Sequence, residues 1–321
     1  MFAMNHWRPT APLENLKLRA ELLTKLRAFF AARNILEVDT PALSRAGATD
    51  RHIHSYRVEN PHGAPLYLHT SPEFPMKRLL AAGYGDIYQL CKVFRSGEGS
   101  RTHNAEFTML EWYRIGFDHH KLMAEVADLL TALIPELEPP EYLTYAEAFQ
   151  RHAGFDVFKS NGRDCIAALN RAGRQVPAED ELDYDGWLDM VAGDLVYPKL
   201  GRGRLTFIYN YPASQAALAR IWPGEPPVAE RFEAFIDGVE LVNGFHELAD
   251  AAEQRRRFKA DRAYREGHGL MDVPYDEHLL SALVQGLPDC AGVALGLDRL
   301  VMVAGRARSL EEVIAFPADR A

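Results

Sequence analysis

Cysteine is scarce in this sequence. Its 321 residues hold three, Cys91, Cys165 and Cys290, far apart and odd in number. No Cys-x-x-Cys pair occurs, so neither a disulfide framework nor a zinc knuckle is indicated. Long apolar runs are missing too. No stretch approaches the ~20 residues that span a bilayer, and the first dozen residues lack the apolar core of a signal peptide. A cytoplasmic protein without membrane contact is the expectation. Positive charge is also short: 36 Lys and Arg against 45 Asp and Glu leave a net charge of -9. That balance argues against a broad nucleic-acid-binding surface, because neutralising phosphates requires clustered cations. The densest basic run, Arg255-Arg256-Arg257 with Lys259 and Arg262, reads as the solvated face of a helix. No GxxxxGK[ST] loop is present, which excludes a P-loop. The stretch GEGSR at 97–101 lacks the third glycine of a dinucleotide-binding turn.

What is present is an ordinary globular composition, 47% hydrophobic and 25% charged, enough for a sizeable core. Residues 1–12 read as a loosely docked arm. Residues 13–34 place Leu18, Leu22, Leu26 and Phe29–Phe30 at helical spacing. Residues 35–43, ILEVDTPAL, switch to an extended pattern whose Pro41 belongs at a sheet edge or an interface. A short strand at 67–70 and a helix at 75–82, stopped by Gly83, follow. Residues 87–95 and 106–114 read as strands joined by a polar loop. Residues 118–134 are an amphipathic helix, and 135–203 read as a helical insertion packed beside a sheet rather than a separate domain. A strand at 205–211 precedes a hairpin, 228–236 and 239–243, turning on Asp237-Gly238. Helices at 251–266 and 277–285 lead to a small-residue strand, 292–296, that runs into a helix at 297–304. Hairpins outnumber strand-helix-strand units, so the expected fold is α+β, a mainly antiparallel sheet flanked by helices, in a single domain over 1–321.

Three stretches hold candidate chemistry. In VFRSGEGSRTHNAEFTMLEWYR, residues 93–114, strand alternation puts Phe107, Met109, Glu111 and Tyr113 on one face. A carboxylate and a phenol there suit an amine, and Arg95 and Arg101 suit a polyphosphate. The plainer alternative is a surface hairpin with solvated charges. In DGVELVNGFHE, residues 237–247, Glu240 and Glu247 either hold Mg²⁺ or a substrate ammonium, or are two unrelated glutamates. Glu240 lies among apolar neighbours in a strand that reads as buried. His246 reads as a structural histidine. In GVALGLDRLVMVA, residues 292–304, glycines leave room for a flat ring against the strand, and Arg299 falls in the first helical turn.

Taken in order, these stretches resemble the three signature motifs of class II aminoacyl-tRNA synthetases. The first helix with ILEVDTPAL is similar to motif 1, residues 93–114 to motif 2, and GVALGLDRL to motif 3. "RTHNAEFTMLEWY", "TSPE" at 70–73 and "ELVNGFHEL" at 240–248 resemble the lysyl type. No five-stranded anticodon-binding barrel precedes motif 1, so anticodon-dependent tRNA binding is not expected. "TDRHIHSYRV", "MKRLLAAGYGDIYQLCKVFR", "PDCAGVALGLDRLVM" and "EEVIAFPADRA" resemble the truncated lysyl-type paralogues that modify translation elongation factor P.

The resemblance implies the class II catalytic-domain fold and an ATP-dependent, AMP-forming ligase. Its partners would be (R)-β-lysine, as an adenylate, and a lysine ε-amine of elongation factor P. Mg²⁺ is implied, and a homodimer with Pro41 at its interface. Carried over position by position, Arg95, Glu240 and Arg299 are catalytic. Arg95, Ser96, Gly97, His103, Asn104, Glu240, Leu241, Gly296 and Arg299 bind ATP. Ser71, Pro72, Glu73, Tyr113, Glu247 and Ala294 hold the amino acid, and Glu240 and Glu247 bind the metal. Ala294 stands where lysyl-tRNA synthetases carry glycine, and its methyl narrows the pocket in favour of β- over α-lysine. Motif 2 departs from the usual Phe-Arg-x-Glu: Gly97 occupies the glutamate position and Glu98 follows. Either Glu98 serves in its place or the Gly97 backbone does. The rival readings are a stand-alone lysyl-type synthetase acting on tRNA or a free amine, and a non-catalytic amino-acid-binding regulator.

Overall fold

The computed structural model describes residues 7–321, so the first half of the expected arm lies outside the described residues. Further along the arm, the Thr10 N–H donates to Ala315 O at 2.9 Å and its hydroxyl to Ile314 O at 3.1 Å. The chain forms two compact units, one of Met1–Phe117 with Leu248–Ala321 and one of Asp118–Glu247.

In the first unit, helix Leu13–Ala31 buries Leu22, Leu26 and Phe30, the stripe its spacing predicted. The extended run that follows makes only two short strands, Leu36–Glu37 and Leu43–Ser44. The segment between them contains Pro41, which has no N–H for a ladder. Leu36–Glu37 pairs in parallel with Ile87–Ser100, which pairs antiparallel with His103–Ile115, which pairs antiparallel with Cys290–Gly296. A second small sheet joins Leu43–Ser44, Leu66–Leu68 and Arg57–Val58. Helices Glu73–Ala81, Ala251–Gly267, Glu277–Gly286 and Leu297–Ala304 complete the unit.

The hairpin corrects one expectation. Its strands reach Ser100 and resume at His103, so the predicted loop is mostly strand and the tip is Arg101-Thr102. The register shows why a loop was expected. Phe94 pairs with Glu106 and Gly99 with Asn104. Five steps on one strand face two on the other, so three extra residues bulge out of the first strand around Arg95–Glu98.

In the second unit, helix His119–Leu133 starts at Asp118, whose side chain accepts from the Lys121 N–H at 2.8 Å. The sheet runs Val239–His246, Val228–Ile236, Arg204–Pro212, Glu138–Thr144, with Ile221–Trp222 beside Val228–Ile236. The segment expected as a helical insertion therefore opens with a strand, Glu138–Thr144, parallel to Arg204–Pro212. Its two prolines hid it, and they are tolerated because the strand lies at the edge with a register shift between Glu138 and Glu141. Helices Tyr145–His152, Gly162–Arg171 and Tyr184–Val191 cover the core of Tyr145, Phe149, Trp187, Tyr211 and Phe235. Asp237 and Gly238 both take positive φ, +49° and +75°, the backbone of a two-residue hairpin turn.

Pairing is mainly antiparallel in both units, as expected. Among the described residues no helix is long and apolar enough to cross a membrane.

Candidate active site

In the first unit the substrate candidates gather around a carboxylate. Strand pairing sets Ala294 opposite Glu111, Gly292 opposite Tyr113 and Gly296 opposite Met109. Glu111 is buried at 3% exposure. Its two oxygens accept hydroxyls from both sides, Ser71 at 2.7 Å and Tyr113 at 2.6 Å. The Ser71 oxygen also accepts the N–H of Glu73 at 3.0 Å, tying the start of helix Glu73–Ala81 to the strand. Pro72 caps that helix through its backbone alone. Glu73 meets Lys77, itself 1% exposed, at 2.6 Å. Glu73, expected to pair with a substrate ammonium, thus already forms half of a buried ion pair. Ala294 and Gly296 are half-exposed while Val293 and Leu295 are buried, so the strand presents its small residues on its more open face. Glu111 entered the sequence reading only as a carboxylate on a strand face; its junction with Ser71, forty residues away in the chain, had no local signal.

The phosphate candidates lie on the hairpin and beside it. The Arg95 guanidinium packs over the Phe107 ring at 5.1 Å, donates from Nε to Thr70 O at 3.4 Å, and stands 3.7 Å from Glu98. The offset glutamate of motif 2 is therefore a partner of Arg95 within the bulge. The Ser96 N–H donates to His54 O at 2.7 Å, and Gly97 has φ +83° with open space where a side chain would stand. Arg299 donates from Nε to Thr102 O at 3.1 Å and from Nη2 to His103 Nε2 at 2.7 Å. A guanidinium cannot accept, so His103 Nε2 is the acceptor and its Nδ1–H is left to donate to Ser100 Oγ at 2.8 Å. Asp298 anchors this arrangement: its carboxylate accepts the Thr108 N–H at 2.6 Å and is bridged by Arg19, which also donates to Thr108 Oγ1 at 2.6 Å. Asn104 uses both ends of its amide on backbone, donating to Glu106 O and accepting from the Ala318 N–H. Arg101 donates to Arg308 O at 2.7 Å. The hairpin tip is thus held by the chain's final residues.

The second unit carries Glu240, Leu241 and Glu247. Seven residues apart, Glu240 and Glu247 would fall on opposite faces of a regular strand. Register prevents this. Phe235 pairs with Glu240 but Ala234 with Val242, so Leu241 is an extra, buried residue. The bulge returns Glu240 to the face that also carries Asn243, Phe245 and Glu247. Glu240 is half-exposed, correcting the expectation of burial, while Glu247 is buried. Beside them Arg231 donates to Glu233 at 2.5 Å. Burial pushes the Glu233 carboxyl up to about 7, opposed by Arg231 and reinforced by the charge of Glu240. His246, read as structural, is buried with Nδ1 2.9 Å from Glu230.

The basic run of helix Ala251–Gly267 is taken up by carboxylates: Arg255 by Glu277, Arg256 and Arg257 by Glu253, Arg262 by Asp272. It lies on a helix face, as expected, but one paired with carboxylates rather than simply solvated.

An antiparallel hairpin with a bulged arginine, a strand of small residues, and a helix that starts on Asp-Arg define a class II synthetase core. The chain belongs to the family of class II tRNA synthetases (D, K and N), matching it over residues 3–320. It is 51% identical over 320 residues to the elongation factor P--(R)-beta-lysine ligase of Vibrio cholerae, covering 98% of each chain. The Edwardsiella ictaluri protein of the same name is 50% identical over 329 residues and 100% of each chain. That of Klebsiella pneumoniae (strain 342) is 49% identical over 323 residues and 98% of each.

Proposed function

We propose that this chain is an ATP-dependent ligase that activates (R)-β-lysine and joins it to translation elongation factor P. The observation that carries the reading is the end-to-end identity of about half with ligases of that name. The site chemistry agrees with it. In the first step a β-lysine carboxylate oxygen attacks the α-phosphorus of ATP, and pyrophosphate leaves with the electron pair of the broken P–O bond. In the second, a lysine ε-amine of the protein acceptor attacks the acyl carbon. An amide forms, AMP departs, and the amine's proton goes to solvent.

Positioning and charge neutralisation supply most of the catalysis in such a reaction. Arg95 holds the α-phosphate and the substrate carboxylate, and Arg299, braced by His103 and Thr102, binds the γ-phosphate. Ser96, Gly97 and Asn104 frame the nucleotide, and Leu241 and Gly296 line it. Glu111 with Ser71 and Tyr113, and the Glu73–Lys77 pair, receive an ammonium group of the substrate; the resemblance to the family assigns Glu247 to an ammonium group as well. Ala294 stands directly across from Glu111, where its methyl favours the β-amine. Glu240 and Glu247 share one strand face and offer the oxygen donors Mg²⁺ prefers, so they fit that ion, which would neutralise phosphate charge. The chain acts as a homodimer through the motif 1 segment, where Leu36 and Leu43 are exposed apolar side chains flanking Pro41.

Mass spectrometry of elongation factor P after incubation with enzyme, ATP and (R)-β-lysine tests the reading. A gain of one β-lysyl group at one lysine is expected. Unmodified factor, with label on tRNA instead, would overturn it in favour of a stand-alone synthetase.

A further inference from the structure

Within the second unit, two imidazoles and a carboxylate meet, none of them assigned above to ATP or β-lysine, although His246 directly precedes Glu247. His119 is the first residue of helix His119–Leu133, Glu230 lies in strand Val228–Ile236, and His246 ends strand Val239–His246. All three are buried, at 4%, 8% and 6% exposure. One ligand atom from each lies within 4.8 Å of the others, the one such grouping among the described residues. We propose that His119, Glu230 and His246 form a binding site for a divalent transition-metal ion of the zinc class, bracing the helix start against the two strand ends.

Three observations carry this beyond a chance cluster. First, His119 Nε2 faces Asn210 Oδ1 at 3.3 Å, while its Nδ1 is buried without a hydrogen bond. If Nε2 carries the proton, Nδ1 presents a lone pair, the arrangement an outer hydrogen bond imposes on metal-binding imidazoles. Second, Glu230 Oε2 is likewise buried and is held by ion-pair contacts alone, His246 Nδ1 at 2.9 Å and Arg220 Nε at 3.5 Å. Third, the donor set selects the ion: imidazole with one carboxylate suits zinc-class ions, whereas Mg²⁺ seeks oxygen. Water completes the coordination.

Arg220 is the competitor. Its Nη1 is 3.4 Å from His246 Nε2 and its Nε 3.5 Å from Glu230 Oε2. With its side chain 47% exposed, it has room to swing to solvent as the ion enters and His246 transfers its ring proton from Nδ1 to Nε2.

The test is equilibrium dialysis of the full chain against micromolar Zn²⁺, with metal counted per chain, plus X-ray absorption at the zinc edge. About one zinc per chain with two imidazoles in its shell is expected. His119→Gln should weaken binding at least tenfold, and Arg220→Ala should tighten it severalfold. Zinc should raise the Tm of the wild type and not that of His119→Gln. No retained zinc, a shell without imidazole, equal binding by His119→Gln, or no tightening in Arg220→Ala would overturn the site. None of these readouts depends on ligase activity, so the site and the proposed function fail separately.

Discussion

At Glu111 two hydroxyl donors converge on one buried carboxylate, and their loss defines a first experiment. Glu111→Gln leaves the shape and turns one acceptor oxygen into a donor facing another donor. A mispaired buried polar group costs about 1–3 kcal/mol. The expected outcome is a rise of ten- to a hundredfold in the KM for β-lysine, with the KM for ATP nearly unchanged, read by pyrophosphate exchange. The motif 2 offset gives a second. Gly97 sits at φ +83°, so Gly97→Ala is expected to lose about 1 kcal/mol of stability in urea denaturation. Glu98→Gln is expected to keep stability and raise the KM for ATP about fivefold, because Arg95 loses its partner in the bulge. Reversed effects would mean that Glu98, not the Gly97 backbone, shapes the loop. At this scale the sequence was informative wherever a residue type is tied to a local need. Arg299 at a helix start and Asp237-Gly238 at a turn are examples. It was silent on the Lys77–Glu73 pair's burial and on Ser71 reaching Glu111, since those depend on which distant strand arrives beside them.

Elements lock one another through a few buried charges. Asp298, in the first turn of helix Leu297–Ala304, receives Thr108 from the hairpin and Arg19 from the first helix. Asp298→Ala would leave Arg19 without its carboxylate, a loss of about 3 kcal/mol or more for a largely buried pair. A lowered urea midpoint with an unchanged slope would show it. Acid acts on a different element. Hydrogen bonding from Arg256, with Arg257 beside it, holds Glu253 down from its ordinary 4.5 to about 2. A depressed carboxyl adds stability above its unfolded value, and that stability drains as pH falls from 4.5 toward 2. Glu253→Gln should therefore lower stability at neutral pH, leave it almost unmoved near pH 2, and flatten the acid-unfolding curve between 4.5 and 2. Helix boundaries were legible because caps and apolar periodicity are local: the helix at Leu297–Ala304 matches its expected span residue for residue. The two bulges and the proline-bearing edge strand were not, because pairing register belongs to two strands at once.

For the whole molecule, the balance of charge and the exposed motif 1 segment give the expectation that is simplest to test. Sedimentation should find a particle of twice the 36.1 kDa chain mass. Replacing Leu36 and Leu43 together by glutamate should shift it to the monomer. A monomeric wild type would remove the dimer from the proposal. The fold class was legible from the order and type of the elements.

The extra residue at Leu241 has a consequence for comparing relatives. A strand keeps phase, inside and outside alternating, and a bulge is a phase slip of one step. Glu240 belongs to the phase before the slip and Glu247 to the phase after it. A relative that kept seven residues between the acids but paired without the bulge would match Glu for Glu, yet one of the two would face away; one that lost the extra residue with the bulge would hold both on one face, six apart. For this segment, spacing and register together say more about shared chemistry than matching letters.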